Sequence, residues 1–165
     1  MIKYIGSKRV LLPRIVAAIA AIPDAHSVID LFSGTSRVGH ALKKAGYLVT
    51  ANDHLTYAYA LGRCYVQADR EPVLDDATRL IAELSTLPGK PGYFTETFCR
   101  RSRFIHPKNG ERIDAIREAI AGMDLSGDLE AVALVSLMEA ADRVDSTTGV
   151  QMAYLKEWAP RAHND

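Results

Sequence analysis

Apolar positions in this chain repeat at helical spacing in most segments and run continuously in two short ones, with glycine and proline marking the changes. Leu11 to Ile22 reads as a first helix that ends near Pro23. The run Ser27-Val-Ile-Asp30-Leu-Phe32 is apolar and β-branched at its start and halts at Ser33-Gly34, the pattern of a buried strand before a sharp turn. A helix follows, with Ser36 or Thr35 as its cap, an apolar face of Val38, Ala41 and Leu42, Lys43 and Lys44 in its last turn, and Gly46 as its stop. Tyr47 to Ala51 reads as a second strand, closed by Asn52-Asp53. Downstream, helical patterns cover His54 to Ala68, Glu71 to Leu87, Asn109 to Met123 and Ser126 to Val144. Leu129 to Ala141 is apolar nearly all round and is expected to be buried. Pro88-Gly89-Lys90-Pro91-Gly92 is the clearest break, and a basic, aromatic loop is expected after it. The order predicts an α/β fold in which a β-α-β unit precedes a helical region.

Bulk properties narrow the class. A chain of 165 residues, 48% hydrophobic and 24% charged, fits one ordinary globular domain. Twenty basic residues balance twenty acidic ones, so global charge argues neither for nor against nucleic acid. No apolar stretch approaches the roughly 18 residues of a membrane span, and the start has no leader-like apolar core, so a cytoplasmic protein is the default expectation. Cys64 and Cys99 are isolated from one another and from any histidine pair at metal spacing, and are expected to be reduced structural thiols.

The β-α-β unit carries the candidate chemistry, because such units bind nucleotides at the carboxyl ends of their strands. Gly34 allows a tight turn and close approach to a ligand, and Gly39 lets the helix pack on the strand. Asp53, at the end of the second strand, suits a carboxylate that accepts from ribose hydroxyls. Asp30 brings a second carboxylate to the turn, and two acids favour a cationic nucleoside such as S-adenosylmethionine over an anionic dinucleotide. A plainer reading makes Asp30 a turn cap and Asp53 a solvated strand end. Near the start, Tyr4 offers a flat face for adenine, Gly6 allows close backbone approach, and Lys8 offers a donor; a helix entry with a packed tyrosine is the bland alternative.

I-K-Y-I-G-S-K-R followed by L-L-P, then D-L-F-S-G-T-S-R-V-G, then N-D, resemble in content and order the opening motifs of Dam-like adenine-specific DNA methyltransferases of restriction-modification systems. The resemblance implies a Rossmann-like, mixed seven-stranded sheet that holds S-adenosylmethionine. Carried over, it implies that Tyr4 and Lys8 line the cofactor with Gly6 between them. Phe32, Ser33 and Gly34 form its turn after Asp30, and Asp53 holds its ribose. The family more often has a second glycine where this chain has Ser36.

Between Tyr93 and Arg112, basic residues and aromatics interleave: Arg100, Arg101, Arg103, Lys108 and Arg112 can neutralise phosphates, and the rings can stack on a base. A solvated basic loop is the equal alternative. The resemblance places a helical target-recognition insert after the second strand and implies double-stranded DNA as the partner. It divides the chain into a cofactor-binding part, residues 1–68, and a target-recognition part, residues 69–165. In that family an Asp-Pro-Pro-Tyr or Asn-Pro-Pro-Tyr motif aligns the extruded adenine with the methyl group. No Pro-Pro dipeptide occurs in this chain, which therefore reads as the amino-terminal half of such an enzyme, inactive alone and completed by a carboxyl-terminal half. The ending from Trp158 to Asp165 offers no obvious structural closure. Two rival readings are an NAD-dependent oxidoreductase domain built on the same unit and a non-catalytic DNA-binding module.

Overall fold

Parallel strands need a long crossover between them, and the sequence supplies one. β1 (Ser27–Asp30) and β2 (Leu48–Ala51) pair in parallel from Ser27 opposite Leu48 to Asp30 opposite Ala51, with α2 (Arg37–Lys44) as the connection. This computed structural model describes residues 8–149 and 152–164. The chain divides into two compact units, one of residues 4–73 and one of residues 74–165 together with 1–3.

In the unit formed by residues 4–73, a short 3-10 segment (Lys8–Leu11) leads into α1 (Leu12–Ala20), and α3 (Thr56–Gly62) runs on as a π-helical turn, Arg63–Gln67. Leu42 of α2, Ala58 and Leu61 of α3, and Val66 of the π turn are its buried apolar residues. α2 approaches closely because position 39 is glycine. A Cβ there would lie 2.9 Å from Val66 Cγ2 and 3.4 Å from Val49 Cγ1, which fits the packing role expected of Gly39. Lys43, at the end of α2, donates from Nζ to Ala68 O at 2.9 Å and pairs with Asp69 at 2.8 Å, so it satisfies carbonyls at the end of the π turn.

β1 is not buried as expected, and β2 is equally open. Ile29 is 64% exposed, Leu48 73% and Phe32 81%. The cause is the size of the sheet: among the described residues it has two strands, and alternate side chains of each point to a face that nothing covers. A mostly helical chain with one small parallel sheet is compatible with part of an α/β methyltransferase-type fold.

The second unit holds most of α4 (Arg70–Ser85) together with α5 (Pro107–Gly122) and α6 (Gly127–Arg143). Leu80, Leu84, Ile120 and Ala133 form its core, flanked by half-buried Ile116, Met123, Leu129 and Leu137. α6 is less buried than its composition suggests. Its fully buried apolar positions are Ala131, Ala133 and Val135, because it packs along one side against α5 while its leucines sit at the margin.

Two segments expected to be irregular are ordered. Residues 95–100 form a π-helical turn instead of a loop, and α5 closes on it so tightly that a Cβ at Gly110 would stand 2.3 Å from Cys99 Sγ. The chain's last residues are also closed against this unit. Pro160–His163 forms a 3-10 turn in which Ala162 is buried, Asn109 Nδ2 donates to Ala162 O at 3.0 Å, and Arg161 Nε donates to the buried carboxylate of Asp145 at 2.7 Å. Antiparallel bridges join Ile105 to Asp145 and Thr147 to Tyr154, so the segment at 145–147 is bridged both to a distant stretch and to a nearby one. Among the described residues no helix is long and apolar enough to cross a membrane.

Candidate functional site

The carboxyl ends of β1 and β2 are fastened to each other. Asn52 N donates to Asp30 O, Ser33 N to Asn52 O, and Asn52 Nδ2 to Leu31 O, each at 2.9 Å. Gly34 then takes the left-handed conformation at φ +50°, where a residue without a Cβ is unstrained. Its N–H donates to Asp53 Oδ2 at 2.8 Å, and Leu55 N donates to Asp53 Oδ1 at 3.0 Å. The Asp53 carboxylate therefore closes the glycine turn from the neighbouring strand. The Leu55 and Gly34 amides, outweighing partial desolvation, hold its pKa below the usual carboxylate range. Backbone amides of Gly34, Leu55 and His54 all act on this carboxylate, and of its roughly four acceptor directions they leave part unspent.

Ser36 occupies the helix N-cap but does not cap through its side chain as expected. At φ +55° its backbone is left-handed and its Oγ is turned inward, fully buried with no hydrogen-bond partner among the described residues. The first helical bond is made instead by its carbonyl, which accepts from His40 N at 2.9 Å. Asp30 presents a comparable anomaly: its Oδ2 is buried and has no hydrogen-bond partner among the described residues. A buried acceptor without a donor is costly, by about 1 to 3 kcal/mol, unless something else supplies the donor.

A cavity of about 470 Å³ is lined by β2 residues, by Ser33 and Asp53 at the turn, and by Tyr59, Arg63 and Lys43. Asp30, Phe32 and Gly34 do not line it. Lys8 is exposed at the first position of the 3-10 segment, and Tyr4 and Gly6 lie outside the described residues.

In the second unit the basic residues singled out above have different surroundings. Arg100 pairs with Glu96 at 3.6 Å and with Glu111 at 3.4 Å, and Arg101 pairs with Glu96 at 3.5 Å. Arg112 Nη2 donates to Ser85 O at 2.9 Å, and Lys108 is exposed in the first turn of α5. Arg103 lies over the Trp158 ring, 4.5 Å from its centre. Phe94 and Phe98 pack on each other at 4.9 Å. The Cys99 thiol behind them is pushed up to about 12 by burial and by the nearby Asp114 carboxylate, which leaves it an inert core thiol.

Sequence reasoning missed Trp158 and His163 as neighbours of the basic segment and of its His106, since they come together only through the closure of the chain's last residues. It also missed Asp114, which is 8% exposed and accepts from Gly92 N, Phe94 N, Thr95 N and Thr95 Oγ1 at 2.6 to 2.9 Å. The one local signal was the break at Pro88 to Gly92, which demanded some distant partner for its amides.

The family model described as D12 class N6 adenine-specific DNA methyltransferase matches residues 4–165. The chain is 32% identical to the type II methyltransferase M.NlaIII of Neisseria lactamica, over 93% of this chain and 49% of that protein. It is 33% identical to M.CviAII of Paramecium bursaria Chlorella virus 1, over 98% of this chain and 51% of the relative. It is also 33% identical to M.FokI of Planomicrobium okeanokoites, over 97% of this chain and 27% of the relative. The chain thus spans between about a quarter and a half of the curated relatives it matches. No solved structure matches it.

Proposed function

The chain belongs to the D12 class N6 adenine-specific DNA methyltransferases, and from that membership we propose that it supplies the cofactor turn and the DNA-contacting part of a site-specific adenine methyltransferase. Bound S-adenosylmethionine would supply an activated methyl group on a sulfonium. Residues 1–68 form the cofactor part, with Tyr4, Gly6, Lys8, Asp30, Phe32, Ser33, Gly34 and Asp53 as its contacts. Residues 69–165 form the target-recognition part, with Arg100, Arg101, Arg103, Lys108 and Arg112 toward DNA.

The observation that carries this reading is the orphaned Asp30 Oδ2 at the strand end before the glycine turn. A buried carboxylate oxygen lacking a donor is suited to an ammonium, and the remaining acceptor directions on Asp53 are suited to ribose hydroxyls. Two acids at one turn disfavour a pyrophosphate, which speaks for a cationic nucleoside and against a nicotinamide dinucleotide. Because the Pro-Pro motif that aligns the adenine amine is absent, the chain by itself is expected to transfer no methyl group, the remaining half coming from further sequence or a separate chain.

Calorimetry tests the reading. S-adenosylmethionine should bind and NAD should not, and Asp30→Asn should weaken S-adenosylmethionine binding about tenfold while leaving the fold intact by circular dichroism. Equal binding of both ligands, or no effect of Asp30→Asn, would overturn it.

A further inference from the structure

Resting on the reading that this chain engages duplex DNA, we infer that its chief grip on the phosphate backbone is a composite surface in which Arg103 lies on Trp158 beside His106 and His163. The Arg103 guanidinium is 4.5 Å from the centre of the indole ring. His106 meets the same ring edge-on at 5.0 Å, and His163 is 5.5 Å from His106. Two stretches more than fifty residues apart in the chain thus build one cationic, aromatic cluster.

Three anchors hold this platform in place. Ala159 N donates to Ser146 Oγ at 3.0 Å, Arg161 Nε donates to Asp145 Oδ1 at 2.7 Å, and Asn109 Nδ2 donates to Ala162 O at 3.0 Å, so the segment bearing Trp158 and His163 is tied just before and within its 3-10 turn.

What separates Arg103 from its neighbours is the absence of a counter-ion. Arg100 and Arg101 are already paired with Glu96 and Glu111, so a phosphate must displace a carboxylate to use them. Arg103, half-buried, has no ion pair or hydrogen bond among the described residues, and its buried Nε is without an acceptor there. Stacking on an indole orders the guanidinium beforehand while leaving its N–H donors unspent, which is the arrangement that suits bidentate contact with a phosphate. A cation so placed loses little further entropy when the anion arrives.

Trp158 is the only tryptophan, so its emission reports on this surface alone. The test titrates the 165-residue chain with a fluorescein-labelled duplex of about 20 base pairs across a salt series, following anisotropy for binding and tryptophan emission for the platform. Arg103→Gln should weaken binding about tenfold and lower the slope of log affinity against log salt by roughly one. Trp158 emission should change with the same midpoint as the anisotropy. Arg79→Gln, at an exposed position of α4, serves as the control for nonspecific charge loss. DNA binding with unchanged emission and unchanged affinity of Arg103→Gln sinks this inference and leaves the DNA reading standing. No binding by the wild-type chain at low salt sinks the DNA reading, and this inference with it. Should the glutamine variant melt early, Arg103→Lys decides, since it keeps the charge and loses the planar fork: affinity equal to wild type would overturn the stacked-arginine role.

Discussion

Ser36 sits where the backbone is suited to glycine. Its left-handed conformation costs about 1 kcal/mol for a residue with a Cβ, and its buried hydroxyl without a partner adds a penalty of about the same size. Glycine would remove both and give back less than about 1 kcal/mol through the greater freedom of the unfolded chain. Ser36→Gly should therefore raise stability by about 1 kcal/mol in urea unfolding, and a loss of stability would show that the hydroxyl has a role the fold needs. Asp53 is the opposite case, a polar residue whose every near contact is productive. Its pKa is lowered by the Leu55 and Gly34 amides, so its support for the turn is complete above the ordinary carboxylate range and is lost as pH falls through the depressed value. The same carboxylate that was read as a ribose contact is thus also the clasp of the turn, which its position at the end of β2 could not reveal.

The element that presents the basic segment is fixed by one distant acid. Asp114, in α5, accepts three backbone N–H groups and the Thr95 hydroxyl at the start of the helical stretch leading into the π turn, and acts as an N-cap supplied from another helix. Burial pushes its pKa up, but the hydrogen bonds from Thr95, Phe94 and Gly92 outweigh that and hold it below the usual range. Asp114→Ala should cost about 3 kcal/mol by leaving buried amides without acceptors, and amide exchange should rise first at residues 95–101. The sign with pH follows: the wild-type advantage is complete above about pH 4, where the carboxylate is ionised in both states, and shrinks as pH falls through the lowered native value. A gap between mutant and wild type that does not change between neutral and acid pH would overturn the ionised-cap account. The nearest amide it serves is 19 residues away and the farthest 22, beyond the reach of any local capping pattern.

Across the whole molecule, what could be read in the sequence was what local periodicity encodes. The five long helical patterns and both strands occur close to where apolar spacing put them, because amphipathic faces and turn residues act within a few positions. The stacked Arg103, the cap from Asp114 and the ion pair of Asp145 with Arg161 all depend on contacts across long separations, and no spacing rule records those. Burial of β1 was misjudged for a related reason. A continuous apolar run announces that a strand is meant to be covered on both faces without saying which sequence covers it. Here the sheet has two strands among the described residues, and Ile29, Leu31, Phe32 and Leu48 are exposed. A two-stranded parallel sheet with an open apolar face is marginal in water, and this chain spans about half of M.NlaIII and M.CviAII. The open face is therefore expected to act as an adhesive surface when the chain is studied by itself. It should bind an apolar dye such as anilinonaphthalene sulfonate and associate with rising concentration in analytical ultracentrifugation. Replacing Ile29 and Leu48 with threonine puts a β-branched residue at both strand positions while removing apolar surface, so the double variant should stay monomeric and lose at most about 1 kcal/mol of stability. If the wild-type chain remains monomeric at high concentration and leaves the dye dark, the sheet face is not the sticky surface its exposure implies. If the double variant unfolds outright, those two side chains hold the sheet together from within rather than waiting for a cover.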